Sequence, residues 1–268
     1  MKKAYLVLSD GRAFEGVRIG AEGSGLGELV FTTGMTGYLE TLTDPSYAGQ
    51  IIMQTFPLIG NYGMAKDDYE TKTPSIGALI VSEYNNEPSN FRSVKTLNEV
   101  MKENDIPGIY GVDTRRLNRS IRDLGSRKVL LTGVETDLEE GVSRILKTQI
   151  SKNAVSRVSR KHILRYPGNG AGLIVAIDCG MKQNIIRSFI KRGYSVLAVP
   201  WNTPAEDILN YKPDGVFISN GPGDPEDVKE TIEAVRGLLG KVPVFGICLG
   251  HQILSIAYGA STYKLKFG

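Results

Sequence analysis

The chain has 268 residues, 41% of them hydrophobic and 23% charged, with a formal net charge of +3. That balance describes a folded globular protein of about two domains and excludes wholesale disorder. No apolar run approaches the roughly 20 residues of a membrane-spanning helix, and a count of two cysteines excludes a disulfide scaffold.

The start is basic and then briefly apolar. It reads as a first strand turning at Asp10-Gly11, not as a secretory leader, which places the protein in the cytoplasm with reduced thiols. Strands are predicted over residues 5–9, 13–17, 29–32, 50–55 and 77–82, divided by glycine- and proline-bearing turns. A helix over 93–104 would place Val94, Leu97, Val100 and Met101 on one face. A second, over 113–124, would align Leu117, Ile121 and Leu124, with Asp113 as N-cap and Gly125 just past its end. The second also carries Arg115, Arg116, Arg119 and Arg122, which make either a solvated face or a docking surface.

Residues 151–170 lose this periodicity. They collect Lys152, Arg157, Arg160, Lys161 and Arg165 without any acid and close on Pro167-Gly168-Asn169-Gly170. They read as a basic linker between a domain of 1–150 and a domain of 171–268. Because the basic excess sits in this stretch and not on a sustained face with interleaved aromatics, nucleic-acid binding is disfavoured. Beyond it, strands at 173–177, 195–199, 215–219, 243–247 and 262–266 alternate with helices at 184–192, 205–210, 225–239 and 249–258. Continuous apolar strands in such alternation predict a parallel sheet covered on both faces. The fold class is therefore α/β: a β-rich N-terminal domain with helices, then an open, mostly parallel sheet, unfinished, with a free edge beside 262–266.

Chemistry concentrates in two loops. Gly246-Ile247-Cys248-Leu249-Gly250-His251-Gln252 runs from an apolar strand into a helix as G-x-C-x-G. A cysteine at such a turn occupies a strained backbone that flanking glycines permit, and the helix N-terminus favours its thiolate. The plain alternative is a small buried hydrophobe at a strand end. Asn220-Gly221-Pro222-Gly223-Asp224-Pro225 likewise leaves a strand and enters a helix through two glycines. It offers backbone N–H groups to a developing oxyanion, or is simply an ordinary capped turn. Cys179 follows a strand but lacks the second glycine, so a structural role is expected. Two histidines, His162 and His251, with two cysteines argue against a zinc site, and no metal is expected.

Together the two loops resemble the triad-type, class I glutamine amidotransferase domain. Gly34-Met35-Thr36-Gly37-Tyr38, Leu42-Thr43-Asp44-Pro45-Ser46-Tyr47, Phe56-Pro57-Leu58-Ile59-Gly60-Asn61-Tyr62-Gly63 and Gly111-Val112-Asp113-Thr114-Arg115 narrow the match. They resemble the small, glutaminase subunits of carbamoyl-phosphate synthases, and the likeness covers essentially the whole chain. The resemblance implies Cys248 as nucleophile toward the side-chain amide of glutamine. It places Gly223 and the Leu249 amide in the oxyanion hole, and Ser46, Gly221, Gly223, Leu249 and Gln252 against the glutamine or its thioester. It implies a large synthetase subunit as partner, holding ATP, Mg and bicarbonate and receiving the ammonia for arginine and pyrimidine synthesis, with no cofactor on this chain.

The family places a histidine and a glutamate downstream of the nucleophile, on a later loop. Here the sequence ends at Lys264-Leu265-Lys266-Phe267-Gly268, so the expectation is a copy truncated in its glutaminase domain, with little turnover of its own. His251 shares the nucleophile's helix and His162 lies in the linker, so neither replaces the base. Two other readings are a catalytically incompetent module that only docks on the large subunit, and a cysteine hydrolase on the same sheet. The second leaves the N-terminal half unexplained.

Overall fold

The computed structural model describes residues 2–133 and 138–265, the Leu124 side chain excepted. The chain divides into two compact units, one over residues 1–150 together with Lys264 and Leu265, and the other over Ser151–Tyr263.

Among the described residues of the first unit, seven strands close into a barrel. These are β1 (Lys3–Leu8), β2 (Ala13–Gly20), β3 (Gly25–Thr32), β4 (Ile51–Gln54), β6 (Ala78–Ile80), β8 (Pro107–Tyr110) and β9 (Lys128–Thr132), in the order β1-β2-β8-β6-β4-β3-β9. Two short strands, β5 (Leu58–Ile59) and β7 (Glu83–Tyr84), pair apart from it. Period-2 alternation builds two clusters from one set of strands. Ile51, Met53, Ala78 and Ile80 join Leu6, Leu8, Leu29 and Leu131, whereas Ile52 and Leu79 join Val100 and Met101. Each such aliphatic side chain contributes about 1.5–3 kcal/mol by leaving water.

Among the described residues four helices accompany the strands: α1 (Tyr38–Thr43), α2 (Leu97–Glu103), α3 (Thr114–Leu124) and α4 (Leu138–Lys147). The helix predicted over 93–104 starts later, because Thr96 and Glu99 form a reciprocal capping box that fixes its first turn. Asp113 accepts from the Arg116 amide at 2.9 Å and Gly125 closes the other end of α3. Two separated motifs meet here. The Tyr62 hydroxyl accepts from the amides of Gly37 and Tyr38, its ring stacks on Tyr38 at 4.1 Å, and the Tyr38 hydroxyl donates to the Gly63 carbonyl. Burial pushes the Tyr38 phenol well above its ordinary pKa.

The second unit is a five-stranded sheet among the described residues. Its strands are β10 (Leu164–Tyr166), β11 (Leu173–Asp178), β12 (Ser195–Pro200), β13 (Gly215–Ile218) and β14 (Val244–Gly246), in the order β10-β12-β11-β13-β14. All neighbours are parallel except β10, which is antiparallel to β12. Five helices belong to this unit: α5 (Ala154–Val158), α6 (Gln183–Lys191), α7 (Ala205–Asn210), α8 (Lys229–Leu238) and α9 (Leu249–Ala257). Val175, Ile177, Val216 and Ile218 pack with Ile208, Val235 and Ile253 of α7, α8 and α9. Ile174, Ala176, Val196 and Phe217 pack with Ile186 of α6. Both faces of the central strands β11, β12 and β13 are therefore covered, as a parallel sheet requires.

Three expectations need correction. Residues 151–170 are not a free linker: they hold α5 and the edge strand β10, because a basic composition does not prevent an edge strand from pairing. The helix predicted over 225–239 is broken, a 3₁₀ turn at Pro225–Asp227 giving way at Val228 to α8. Residues 262–265 form no strand, since they pair with none among the described residues, and Lys266 lies outside those residues. The free edge is instead β14, whose Phe245 is 58% exposed.

Candidate active site

The carboxyl ends of β11, β13 and β14 carry the three loops that matter, at the position where parallel α/β sheets bind ligands. β14 passes through Ile247 to Cys248, which is the N-cap of α9 with φ +51° and ψ −115°. An L-residue held there stores on the order of 1–3 kcal/mol of strain. The flanking glycines make the turn sterically possible. A β-carbon on Gly246 would lie 2.4 Å from the Gly250 carbonyl, and one on Gly250 would lie 2.2 Å from the Ile218 oxygen. Leu249, 1% exposed, anchors the helix in the core, while Cys248 stays exposed. No side chain caps α9, so its positive end faces the thiol.

The loop after β13 packs directly on this elbow. Ser219, Asn220 and Gly221 are buried. A β-carbon on Gly221 would sit 2.9 Å from Leu249 Cδ2 and 2.2 Å from the Cys179 carbonyl oxygen. Gly221 is thus wedged between the turn after β11 and the first residue of α9. Gly223, at φ +86°, is exposed, and Asp224 caps the following turn by accepting from the Glu226 amide at 2.9 Å.

The turn after β11 is closed by hydrogen bonds. Asp178 Oδ1 accepts from the Gly180 and Met181 amides at 2.8 and 2.7 Å, and Oδ2 accepts from the Arg160 amide and Nε at 3.1 and 2.6 Å. Ser219 Oγ accepts from the Cys179 amide at 2.9 Å. Asn220 donates to the Gly180 carbonyl at 2.9 Å and accepts from the Lys182 amide at 3.2 Å. Cys179 is fully buried there, and burial first, then the Asp178 charge, pushes its thiol up to about 12.

Of the residues singled out in the sequence, Cys248, Gly221, Gly223, Leu249 and Gln252 lie on two adjoining loops and one helix. Gln252, exposed, stands one turn beyond Cys248, its amide donating to the Cys248 carbonyl at 3.1 Å. Ser46 belongs to the first unit, half-buried in the 3₁₀ turn Pro45–Tyr47, its amide donating to Asp44 Oδ1 at 2.9 Å. His251 is exposed on α9 and His162 is exposed between α5 and β10. Among the described residues no group of three or more His, Cys, Asp or Glu side chains could hold a metal. Sequence reasoning passed over Arg160, Asp178 and Ser219. The Asp-Cys-Gly string after a strand signalled a side-chain-closed turn, but nothing in it pointed to Arg160.

A strained, exposed cysteine at a strand-to-helix elbow on a parallel sheet is the arrangement of the class I glutamine amidotransferases, and residues 175–268 match that family. Residues 6–131 match the carbamoyl-phosphate synthase small chain, CPSase domain. The chain is 49% identical to a carbamoyl phosphate synthase small chain of Fusobacterium nucleatum, across 100% of this chain and 75% of that one. It is 50% identical to a pyrimidine-specific small chain of Bacillus subtilis, across 99% of this chain and 73% of that one. The chain belongs to the carbamoyl phosphate synthase small chain family, and spans about three quarters of the length of these relatives. A solved aminopeptidase of Aneurinibacillus, 11% identical over 96% of this chain and 69% of its own, aligns with a TM-score of 0.27 and has no bearing on the fold.

Proposed function

We propose that the chain hydrolyses glutamine as the ammonia-supplying subunit of a carbamoyl-phosphate synthase, with Cys248 as nucleophile. The observation that carries this reading is the contact between the Gly221 loop and Leu249 beside the strained, exposed Cys248. The Cys248 thiolate attacks the side-chain amide carbon, and the oxyanion is held by backbone N–H groups of Gly223 and Leu249. The C–N bond then breaks, ammonia leaves with an added proton, and a glutamyl thioester remains. Water cleaves the C–S bond, releasing glutamate and restoring the thiolate. Gln252 and Gly221 contact the glutamine.

The ammonia passes to a large synthetase chain that binds ATP, Mg and bicarbonate, in the cytoplasm. On the first unit, Arg12, Arg115, Arg116 and Arg119, with Asp113, Asp123 and Ser120 among them, line an open depression of ≈ 550 Å³, a mostly basic face that could meet an acidic surface of that partner. Arg115→Glu with Arg119→Glu weakens capture of the large chain if the depression is the docking face, and leaves it unchanged if the arginines only face solvent.

We assign the role of base to neither of the exposed histidines, His162 and His251. Proton delivery and deacylation by a positioned acid/base contribute about 10²–10⁴-fold. Ammonia release by this chain is expected to be at least about 100-fold slower than by the Fusobacterium relative, measured with the large subunit present and after circular dichroism shows both folded. Cys248→Ala abolishes whatever release remains and the glutamyl adduct seen by mass spectrometry. Release that survives Cys248→Ala overturns the assignment. The second reading is a module that docks without turning over. Failure of glutamine to form any adduct on Cys248 would select it.

A further inference from the structure

The segment that composition marks as a linker touches the site's scaffold at two places. A β-carbon on Gly223 would stand 3.3 Å from that of Ala154, at the start of α5. Farther along, Arg160 reaches Asp178 with both its side chain and its backbone amide, and with the two turn amides it leaves that side chain only 5% exposed. The guanidinium is itself half-stacked, its centre 6.0 Å from the Tyr166 ring of β10. From Asp178 the contacts run without a gap. Asp178 fixes the amides of Gly180 and Met181, the Cys179 carbonyl presses on Gly221, and Gly221 presses on Leu249. A polar layer beneath locks the same turn to the loop after β13 through Ser219 and Asn220.

We infer that Arg160 is a positioning residue for the oxyanion loop: through Asp178 and the Cys179–Gly180 turn it sets the place of Gly221 and Gly223 against Cys248. The inference rests on the glutaminase reading and deepens it. Arg160 touches neither glutamine nor thiol. Without the guanidinium, the buried Asp178 side chain is left with backbone amides alone, those of Gly180, Met181 and residue 160, and the turn relaxes toward water. Gly221 has no free space on either side, so a shift of the Cys179 carbonyl moves the loop. A displacement near 1 Å suffices to cost on the order of 100-fold in a reaction that depends on alignment.

Two reagents on the whole chain separate positioning from mere folding. Iodoacetamide reads the Cys248 thiolate and its access alone. The chloroketone analogue of glutamine reads the aligned site: once bound, its chloromethyl carbon forms an S–C bond with Cys248 as chloride departs, the ketone oxygen lying where the amide oxygen would. Arg160→Gln is expected to slow chloroketone labelling about tenfold or more, with iodoacetamide labelling within about twofold of the unsubstituted chain. Arg160→Lys, which keeps the charge and a donor toward Asp178, recovers most of the loss and carries the test if the Gln variant does not fold. Equal slowing of both reagents means that the ion pair only supports the fold, and overturns the inference. So does chloroketone labelling that is unchanged in both variants. If the unsubstituted chain reacts with iodoacetamide but not with the chloroketone, the glutaminase reading itself fails and the inference falls with it.

Discussion

Two strand-to-helix turns in one sheet, the turn after β11 and the elbow after β14, each present a cysteine at the carboxyl end of a parallel strand, yet their physics is opposite. At the first, side chains of Asp178, Ser219 and Asn220 satisfy the backbone and Cys179 is fully buried, its thiol pushed up to about 12. At the second, Cys248 is held at φ +51°, exposed, at the uncapped start of a helix. The sheet is the same and the residue type is the same. What differs is whether polar side chains close the turn or glycines allow it to be compressed. The closed turn then serves as the floor on which the strained one is aligned.

The largest expected effect sets the two thiols against each other. Near neutral pH Cys248 should alkylate with iodoacetamide at least about 100-fold faster than Cys179, since burial denies the latter both thiolate and access. Peptide mapping by mass spectrometry after brief exposure measures the ratio. In urea the ratio should collapse to within a few-fold; a ratio that persists there would locate the difference in local sequence, not in the fold.

Next comes the space that glycine leaves. Gly250→Ala would drive a methyl group against the Ile218 carbonyl at 2.2 Å. The expected cost is about 2–3 kcal/mol, read from the urea midpoint. A neutral result would mean that the elbow is looser than its contacts imply.

Smaller again is the stored strain. Cys248→Gly relieves a positive φ and should stabilise the chain by about 1 kcal/mol. Cys179→Ala, which removes a buried sulfur from a closed turn, should cost about 1 kcal/mol. Opposite signs in thermal melts sharpen the comparison, and equal signs break it.

The smallest effect lies in the first unit, where a turn is closed by charge. Asp10 is bonded by Arg12 and Arg127, and the Arg12 hydrogen bond is the main reason its carboxyl is lowered from 3.8 to about 2. A carboxylate with a depressed folded pKa stabilises above its unfolded value. That contribution is lost as pH falls from about 4 through about 2. With the pair partly solvated, the effect should stay below about 1 kcal/mol. Asp10→Asn should flatten the melting temperature over that window, and an unchanged slope would show the pair to be inert.

Regular elements of the second unit were legible because period and punctuation agree. The helix at 205–210 and the strands beginning at Leu173, Ser195 and Gly215 lie where the apolar runs indicate. The first unit was less legible. β8 opens on Pro107 and Gly108, both poor strand formers, and exists because the Ile19 and Met101 side chains pack where a β-carbon on Gly108 would stand. β9, a plain apolar run, gains its meaning only by pairing with both β1 and β3 to close the barrel.

The sequence by itself determined the alternation of strands and helices, the G-x-C-x-G spacing with its cysteine, and the family likeness, because each is written in neighbouring residues. Only the tertiary structure decided that residues 151–170 belong to the second unit, that the free edge is β14, and that Arg160 closes on Asp178. Those outcomes depend on which distant backbone offers a ladder partner and which buried charge lacks a counter-ion. Such long-range pairings leave no periodic trace along the chain.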